Sequence, residues 1–179
     1  MAVYLDLAKA FDTVNHRILI KKLKIAGIRG ELISWFRSYL KNRRHRVKIN
    51  NVTSEELTFK YGVPQGSVLG PLLFIVYIND LFALPLRAET MCYADDTSLL
   101  YSEATAEEMN YNFQPDVELL LPWLRKNYLH LNTDKCKNII YAYKKPSWYN
   151  SAQLKMENTI IENVDVVKYL ELFLDSKLT

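Results

Sequence analysis

Asp95 and Asp96 are adjacent carboxylates set between apolar runs, Met91-Cys92 before them and Leu99-Leu100-Tyr101 after. Two ionised groups this close to core-forming sequence lose hydration unless water, a basic side chain or a cation compensates them. No Lys or Arg stands between Ala88 and Ser102, so local ion pairing is closed to them. A solvated hairpin turn, which Asp favours, is one way to hold the pair. A divalent cation is another. A third carboxylate, Asp6, sits near the C-terminal end of the alternating stretch Met1 to Leu7. There Val3, Leu5 and Leu7 face one way and Ala2, Tyr4 and Asp6 the other. If that strand neighbours the Asp95-Asp96 hairpin in one sheet, three carboxylates meet at one edge. Mg²⁺ takes oxygen ligands in octahedral geometry, commonly one or two carboxylates completed by water and substrate phosphates. Two such ions stabilise the attacking and leaving oxygens of an in-line phosphoryl displacement.

The elements that must position these residues follow from pattern. Asp12 and Thr13 are helix-start residues for a helix carrying Val14, Ile18, Leu19, Leu23 and Ala26 up to the break at Gly27–Gly30. Leu32, Trp35, Phe36, Tyr39 and Leu40 form one apolar helical face. Residues 47–49 and 57–59 are two strands joined through Asn50-Asn51 and a polar loop. Tyr61 to Ser67 is a compact loop, with Ser67 placed to cap a helix from Val68 to about Leu81 that is apolar nearly all round and should be central. A helical pattern spans Ala104 to Tyr128, but Pro115 and Pro122 each remove a hydrogen bond at a cost of roughly 3 kcal/mol, which predicts two helices or a kinked one. Leu129 to Asn132 is extended, 139–143 is a strand, 144–151 a loop, and short strands follow at 160–161, 166–167 and 169–174. Helices and strands mix without regular alternation and hairpins recur. The fold class is therefore α+β, an antiparallel sheet with helices on one face.

The totals fit one domain, or most of one. The 179 residues are 49% hydrophobic, enough for a real core, and the 12% aromatic content argues against disorder. A net charge of +3 is compatible with nucleic acid without indicating it. Five Lys/Arg fall within Lys41–Lys48, either as phosphate contacts or as a solvated helix end answering the helix dipole. Cys92 and Cys136 make no zinc pattern with His16, His45 and His130, so a reduced, intracellular setting is expected, with both thiols as small core residues. Asp6, Lys9 and Asp12 interrupt any signal-peptide core, and the run Val68–Leu86 is broken too often to span a bilayer, so no membrane role is expected.

Five segments, in order, resemble the palm motifs of reverse transcriptases of the non-LTR (LINE-like) retrotransposon type. Val3-Tyr-Leu-Asp-Leu-Ala-Lys-Ala-Phe-Asp12 resembles motif A, and Gly62-Val-Pro-Gln-Gly-Ser-Val-Leu-Gly-Pro71 resembles motif B. Tyr93-Ala-Asp-Asp96 resembles motif C, residues 131–137 motif D and residues 167–175 motif E. The resemblance implies a polymerase palm over residues 1–179, with two Mg²⁺ ions (Mn²⁺ as an alternative), an RNA template, a DNA primer and dNTPs. By resemblance, Asp6 and Asp95 are the principal metal ligands, assisted by Asp96. Phe11, five residues past Asp6, is the aromatic gate beneath the sugar of the incoming nucleotide. Gln65 and Gly66 line the nucleotide and template pocket, where glycine allows close backbone approach. Tyr93 sits near the primer end, Lys135 is the acid for departing pyrophosphate, and Tyr169 to Leu174 form the primer-grip hairpin.

Departures from the family pattern carry expectations of their own. The resemblance starts at motif A and ends at motif E, leaving fingers and thumb segments lacking, so weak or absent activity of this stretch alone is expected. The alternative is a non-catalytic nucleic-acid-binding or interaction remnant resting on Lys41–Lys48. Glu171 stands where the family has Gly, putting a charged side chain where the backbone should pass closely. Pro122 interrupts the helix before motif D.

Overall fold

The structure, a computed structural model, describes residues 1–149 and 152–178. In chain order its elements are β1 (Ala2–Leu5), α1 (Ala10–Thr13), α2 (His16–Ile25), α3 (Gly30–Leu40), β2 (Arg44–His45), β3 (Lys48–Ile49), β4 (Val52–Thr53), β5 (Leu57–Thr58) and α4 (Leu69–Ile78). After a 3₁₀ turn at Asn79–Ala83 come β6 (Glu89–Tyr93), β7 (Asp96–Leu100), α5 (Ala106–Lys126), β8 (Lys137–Ile139), β9 (Lys155–Met156), β10 (Thr159–Ile160), β11 (Glu162–Asn163), β12 (Val166–Tyr169) and β13 (Leu172–Asp175). The chain divides into two compact units: residues 1–8 with 80–179, and residues 9–79.

The first unit is built on a five-stranded sheet in the order β11-β8-β1-β7-β6. All its pairings are antiparallel except β11 on β8, which is parallel. The expected alternation of residues 1–7 places β1 at the centre. Val3 pairs with Leu99 and Leu5 with Thr97, and all four are buried. On the opposite face, Ala2, Ile139 and Val167 form a cluster joined by Tyr4, Leu100 and Leu174, so the β12–β13 hairpin packs over that side. The predicted strand at 139–143 is instead Lys137–Ile139, shifted because β8 pairs Tyr4 with Lys137 and Ala2 with Ile139. The predicted loop at 144–151 stands as far as Tyr149; residues 150 and 151 lie outside the described residues.

Of the two expected forms, two helices or a kinked one, the first does not apply: α5 is a single helix of 21 residues with Pro115 and Pro122 inside it. Thr105 and Glu108 close a capping box at its start. Proline at 115 cannot donate to the Tyr111 carbonyl one turn earlier, but the Arg87 guanidinium does so at 3.1 Å. Its stripe Met109, Phe113, Val117, Leu120 and Leu124 is buried. Asp116 lies on the same side, fully buried, accepting from Arg87 N at 2.8 Å, Ala88 N at 2.9 Å and Tyr101 Oη at 2.9 Å. That carboxylate ties the helix to the residues leading into β6.

In the second unit α2 packs on α3 and α4. Asn15, and not Asp12 or Thr13, caps α2, accepting from Arg17 N and Ile18 N, while Ala10–Thr13 forms a separate helical turn. The buried positions of α3 are Ile33 and Leu40; Leu32 and Trp35 of the expected apolar face stay half exposed, with Trp35 stacked on Tyr39. Two small hairpins replace the single expected pair, β3 turning into β4 through Asn50-Asn51 and β2 pairing β5 around them. Helix α4 ends at Ile78, and although apolar all round it buries only one side, leaving Leu72 and Ile75 at 55% and 48% exposure. Ser67 Oγ accepts from Gly70 N at 3.0 Å at its start, as expected of a cap. Among the described residues no helix is long and apolar enough to cross a membrane.

Candidate active site

Asp6 follows directly on β1, and its backbone is held on both sides. Asp6 N donates to Cys136 Sγ at 3.5 Å, and Asp6 O accepts from Asn132 N at 2.8 Å. Ala8 N donates to His130 O and Leu7 bridges Leu131, so the motif D segment runs alongside the exit of β1. Burial pushes the Cys136 thiol up, keeping it a neutral core group beneath Asp6.

Asp95 and Asp96 belong to the turn between β6 and β7. Tyr93 pairs with Asp96, so Ala94 and Asp95 make a two-residue hairpin loop. Ala94 has φ +54°, a left-handed position that a residue with a Cβ occupies at a cost. Because Leu5 pairs with Thr97, the next step along the same register sets Asp6 beside Asp96. Their proximity is visible in the charge balance. Partial burial, then the Asp95 carboxylate, then that of Asp6 push the Asp96 carboxyl above its ordinary range.

Asp6, Asp96 and Lys135 line one cavity of about 250 Å³, together with Lys168 and Tyr169. Tyr93, Asp96, Lys168 and Glu171 line an open cleft of about 580 Å³. Of the residues singled out by sequence, Asp6, Asp96 and Lys135 share one cavity, and Asp95 is close enough for its charge to act on Asp96. Tyr93 stands beside them, two-thirds exposed. Tyr169 packs its ring on Tyr4 at 4.8 Å and its hydroxyl meets Ser98, which pairs with Tyr4 across β1 and β7.

Phe11, Gln65 and Gly66 lie in the second unit. Phe11 is half-buried and stacks on the buried Phe74 with ring centroids 4.6 Å apart. Gln65 Nε2 donates to Asp12 Oδ1 at 3.0 Å, and His16 Nε2 meets the Gly62 carbonyl at 2.7 Å. The close approach expected at Gly66 is found elsewhere. A Cβ on Gly66 would meet nothing within 4 Å of it, and its φ of +73° is what calls for glycine there. At Gly62 a Cβ would come within 2.9 Å of the Asp12 carbonyl oxygen, and at Gly70 within 2.6 Å of that of Pro64. The loop 61–67 is thus laid directly on the α1 turn, with Gly62 N donating to Val14 O and Val63 N to Phe11 O. In the basic run, Arg44 and Arg46 both pair with Glu56, and Arg43 lies over the Tyr39 ring.

Sequence reasoning placed Tyr169 in the primer-grip hairpin but gave no role to Lys168, which lines both cavities. It also missed Asp116, an isolated carboxylate inside a helical pattern.

The donor set is carboxylate oxygen, which suits a hard divalent cation: partial burial and then the Asp95 and Asp6 charges raise the Asp96 carboxyl, and a bound cation would offset that repulsion. Among the described residues no group of three or more His, Cys, Asp or Glu side chains is arranged to hold a metal ion. Mg²⁺ needs none, since waters and substrate phosphates fill the remaining positions.

Residues 1–170 match the family model described as reverse transcriptase (RNA-dependent DNA polymerase). The chain belongs to the reverse transcriptase family. Its relatives place it with those of non-LTR retrotransposons. It is 37% identical to the probable RNA-directed DNA polymerase from transposon BS of Drosophila melanogaster, covering 99% of this chain and 20% of that protein. It is 28% identical to the RNA-directed DNA polymerase from mobile element jockey of the same species, covering 100% of this chain and 20% of that protein. The chain thus spans about a fifth of the length of the curated relatives it matches. Its fold is similar to apo telomerase from Candida tropicalis truncated from the C-terminal domain. The TM-score is 0.64 at 14% identity, over 98% of this chain and 34% of that one.

Proposed function

We propose that this chain supplies the catalytic palm of an RNA-directed DNA polymerase, extending a DNA primer on an RNA template with dNTPs. The observation that carries the reading is the register of β1 on β7, which sets Asp6 beside Asp96 at the hairpin bearing Asp95. Asp6 and Asp95 would hold two Mg²⁺ ions, or Mn²⁺, with Asp96 assisting. Bound there, the ions supply charge stabilisation for phosphoryl displacement and activate the primer hydroxyl.

The remaining work falls to side chains. The primer 3′-hydroxyl gives its proton to solvent water as its oxygen bonds to the α-phosphorus of the dNTP and the bond to pyrophosphate breaks, and Lys135 gives a proton to the departing pyrophosphate. Its place in the Asp6–Asp96 cavity supports that role. Tyr93 orients the primer end from the rim of the adjoining cleft. Phe11, fixed against Phe74, excludes a 2′-hydroxyl, and Gln65 with Gly66 borders the nucleotide and template. The relatives named as RNA-directed DNA polymerases support the template and product assignments.

Two measurements test this. Mn²⁺ binding followed by electron paramagnetic resonance is expected in the parent chain and lost in Asp6→Asn and Asp95→Asn; binding that survives both substitutions refutes the site. Extension of oligo(dT) on poly(rA) with Mg²⁺ is expected to be weak for the 179-residue chain and to vanish in Asp95→Asn.

A further inference from the structure

We propose that the outer side of α3 is a stacking platform for single-stranded nucleic acid, with Trp35 taking a base and Arg43 a phosphate. The platform is made of second-unit residues alone, and the carboxylates of the first unit have no part in it.

Helix α3 buries Ile33 and Leu40 and leaves Leu32 and Trp35 at 53% and 50% exposure. An indole is one of the largest apolar surfaces a side chain offers, and half of this one is kept in water. The ring is nevertheless held in place. Trp35 stacks on Tyr39 with centroids 5.3 Å apart and planes 15° from parallel, and Phe36 meets it edge-on at 5.1 Å. Tyr39 is anchored in turn, its hydroxyl donating to Ser67 Oγ at 3.4 Å. Beyond it the Arg43 guanidinium lies 4.6 Å from the Tyr39 ring centre. Trp35, Tyr39 and Arg43, four residues apart in sequence, thus form a ladder of flat groups. A nucleobase is a flat group of the same kind, and a pre-ordered ring takes it with little further loss of side-chain freedom. A guanidinium stacked by its face still has its N–H donors around its edge, where a phosphate can accept from them.

Charge selects the occupant. Residues 29–48 hold seven basic side chains against one acidic, Glu31, whereas the whole chain carries only +3. Arg44 and Arg46 are engaged by Glu56, while Arg43 is exposed. An apolar partner helix would have to desolvate this cationic border. Acidic side chains would match the cations but give the indole no flat face to stack on. A single strand supplies both phosphates and open bases.

The test is titration of the full chain, in EDTA, with a uridine oligonucleotide of about 12 residues, within the usual span of a single-strand site. Anisotropy of the fluorescein-labelled strand reads affinity, and tryptophan emission with the unlabelled strand reads contact at the indole. The parent is expected to bind with its emission quenched. Trp35→Leu keeps an apolar side chain without the plane, and is expected to weaken binding ~10-fold and abolish the quench, with the salt dependence unchanged. Trp35→Phe restores a ring and is expected to bind within ~3-fold of the parent. Arg43→Gln is expected to flatten the log–log salt slope by roughly 0.7, one phosphate contact on a single strand, and to keep the quench. Parent-like affinity in Trp35→Leu, or no quench in the parent, overturns the proposal. Displacement of the strand by poly-glutamate at equal charge overturns it too, by assigning the face to an acidic protein. So does an equal quench by a blunt RNA duplex, whose bases are closed to the indole. Failure of the polymerase reading shows itself separately, as Mn²⁺ binding that survives Asp6→Asn.

Discussion

Replacing Asp116 with Ala should cost more stability than any other single carboxylate change in the first unit. Asp116 is fully buried, and its two oxygens accept three hydrogen bonds of 2.8 to 2.9 Å, from Arg87 N, Ala88 N and Tyr101 Oη. Hydrogen bonds to a charged group contribute about 1.5–3 kcal/mol each, and donors left buried without a partner add their own desolvation cost. Burying the carboxylate itself offsets part of that gain. The balance is a loss of about 4 kcal/mol for Asp116→Ala, against a typical domain stability of about 5–15 kcal/mol. Asp116→Asn keeps the shape but turns an amide N–H toward one of the donors, for a loss of about 2–3 kcal/mol. Tyr101→Phe removes one of the three bonds, for about 1–1.5 kcal/mol. Urea denaturation followed by circular dichroism gives all three values, and hydrogen exchange reads the Arg87 and Ala88 amides directly. A loss below about 1 kcal/mol for Asp116→Ala would refute the view that this carboxylate fastens α5 to the start of β6.

Other outcomes follow from the same geometry. Ala94→Gly should stabilise the chain by about 1 kcal/mol, because it relieves a left-handed Cβ in the β6–β7 turn; equal or lower stability in denaturant would count against that strain. Asp96 has its carboxyl raised by burial and by the charges of Asp95 and Asp6, so the native state holds its proton more tightly than the unfolded chain does. Stability should therefore fall as pH rises from the unfolded carboxylate value through the raised folded one, and Asp96→Asn should flatten that fall in a series of thermal melts. Burial and the Asp116 carboxylate hold the Tyr101 hydroxyl well above its usual range, so its contribution is intact below about pH 10 and lost only on rising through the folded value. Ultraviolet titration should find a tyrosine that ionises only as the fold melts, and in Asp116→Asn that tyrosine should ionise earlier. Arg87→Ala should cost about 1–2 kcal/mol by orphaning the Tyr111 carbonyl above Pro115, measured by denaturation against the parent.

What the sequence made legible was periodic. The alternation from Val3 to Asp6 and the turn chemistry of Asp95-Asp96 put each carboxylate at a strand end or a turn, while the neighbouring of β1 and β7 that sets Asp6 beside Asp96 is supplied by the structure. Features that depend on partners distant in sequence were not legible. Pro115 reads as a helix break until Arg87, far upstream, is seen on the freed carbonyl. Asp116 reads as a solvated helix position until Ala88 and Tyr101 converge on it. Gly66 was recognisable as a glycine the loop needs, whereas the demands at Gly62 and Gly70 were not. Which of them answers a left-handed backbone and which a close contact required the positions of Asp12 and Pro64. The single expected strand pair at 47–59 became two nested hairpins because Asn50-Asn51 turns the chain at once, pairing Ile49 with Val52.

The pairing of Leu5 with Thr97 also bears on how such a sequence ages. Point substitutions along β1 and β7 change packing by degrees. Loss or gain of one codon in either strand is a different event: it slides Asp6 past Asp96 by one residue and turns it to the opposite face, while the run of apolar letters still looks intact. A copy accumulating mutations would thus lose the Asp6–Asp96 juxtaposition through a single in-frame indel in these few residues long before its motifs became unrecognisable. Comparing indel frequency in β1 and β7 with that in the β3–β4 hairpin, among copies of the element, would show whether selection has been guarding that register.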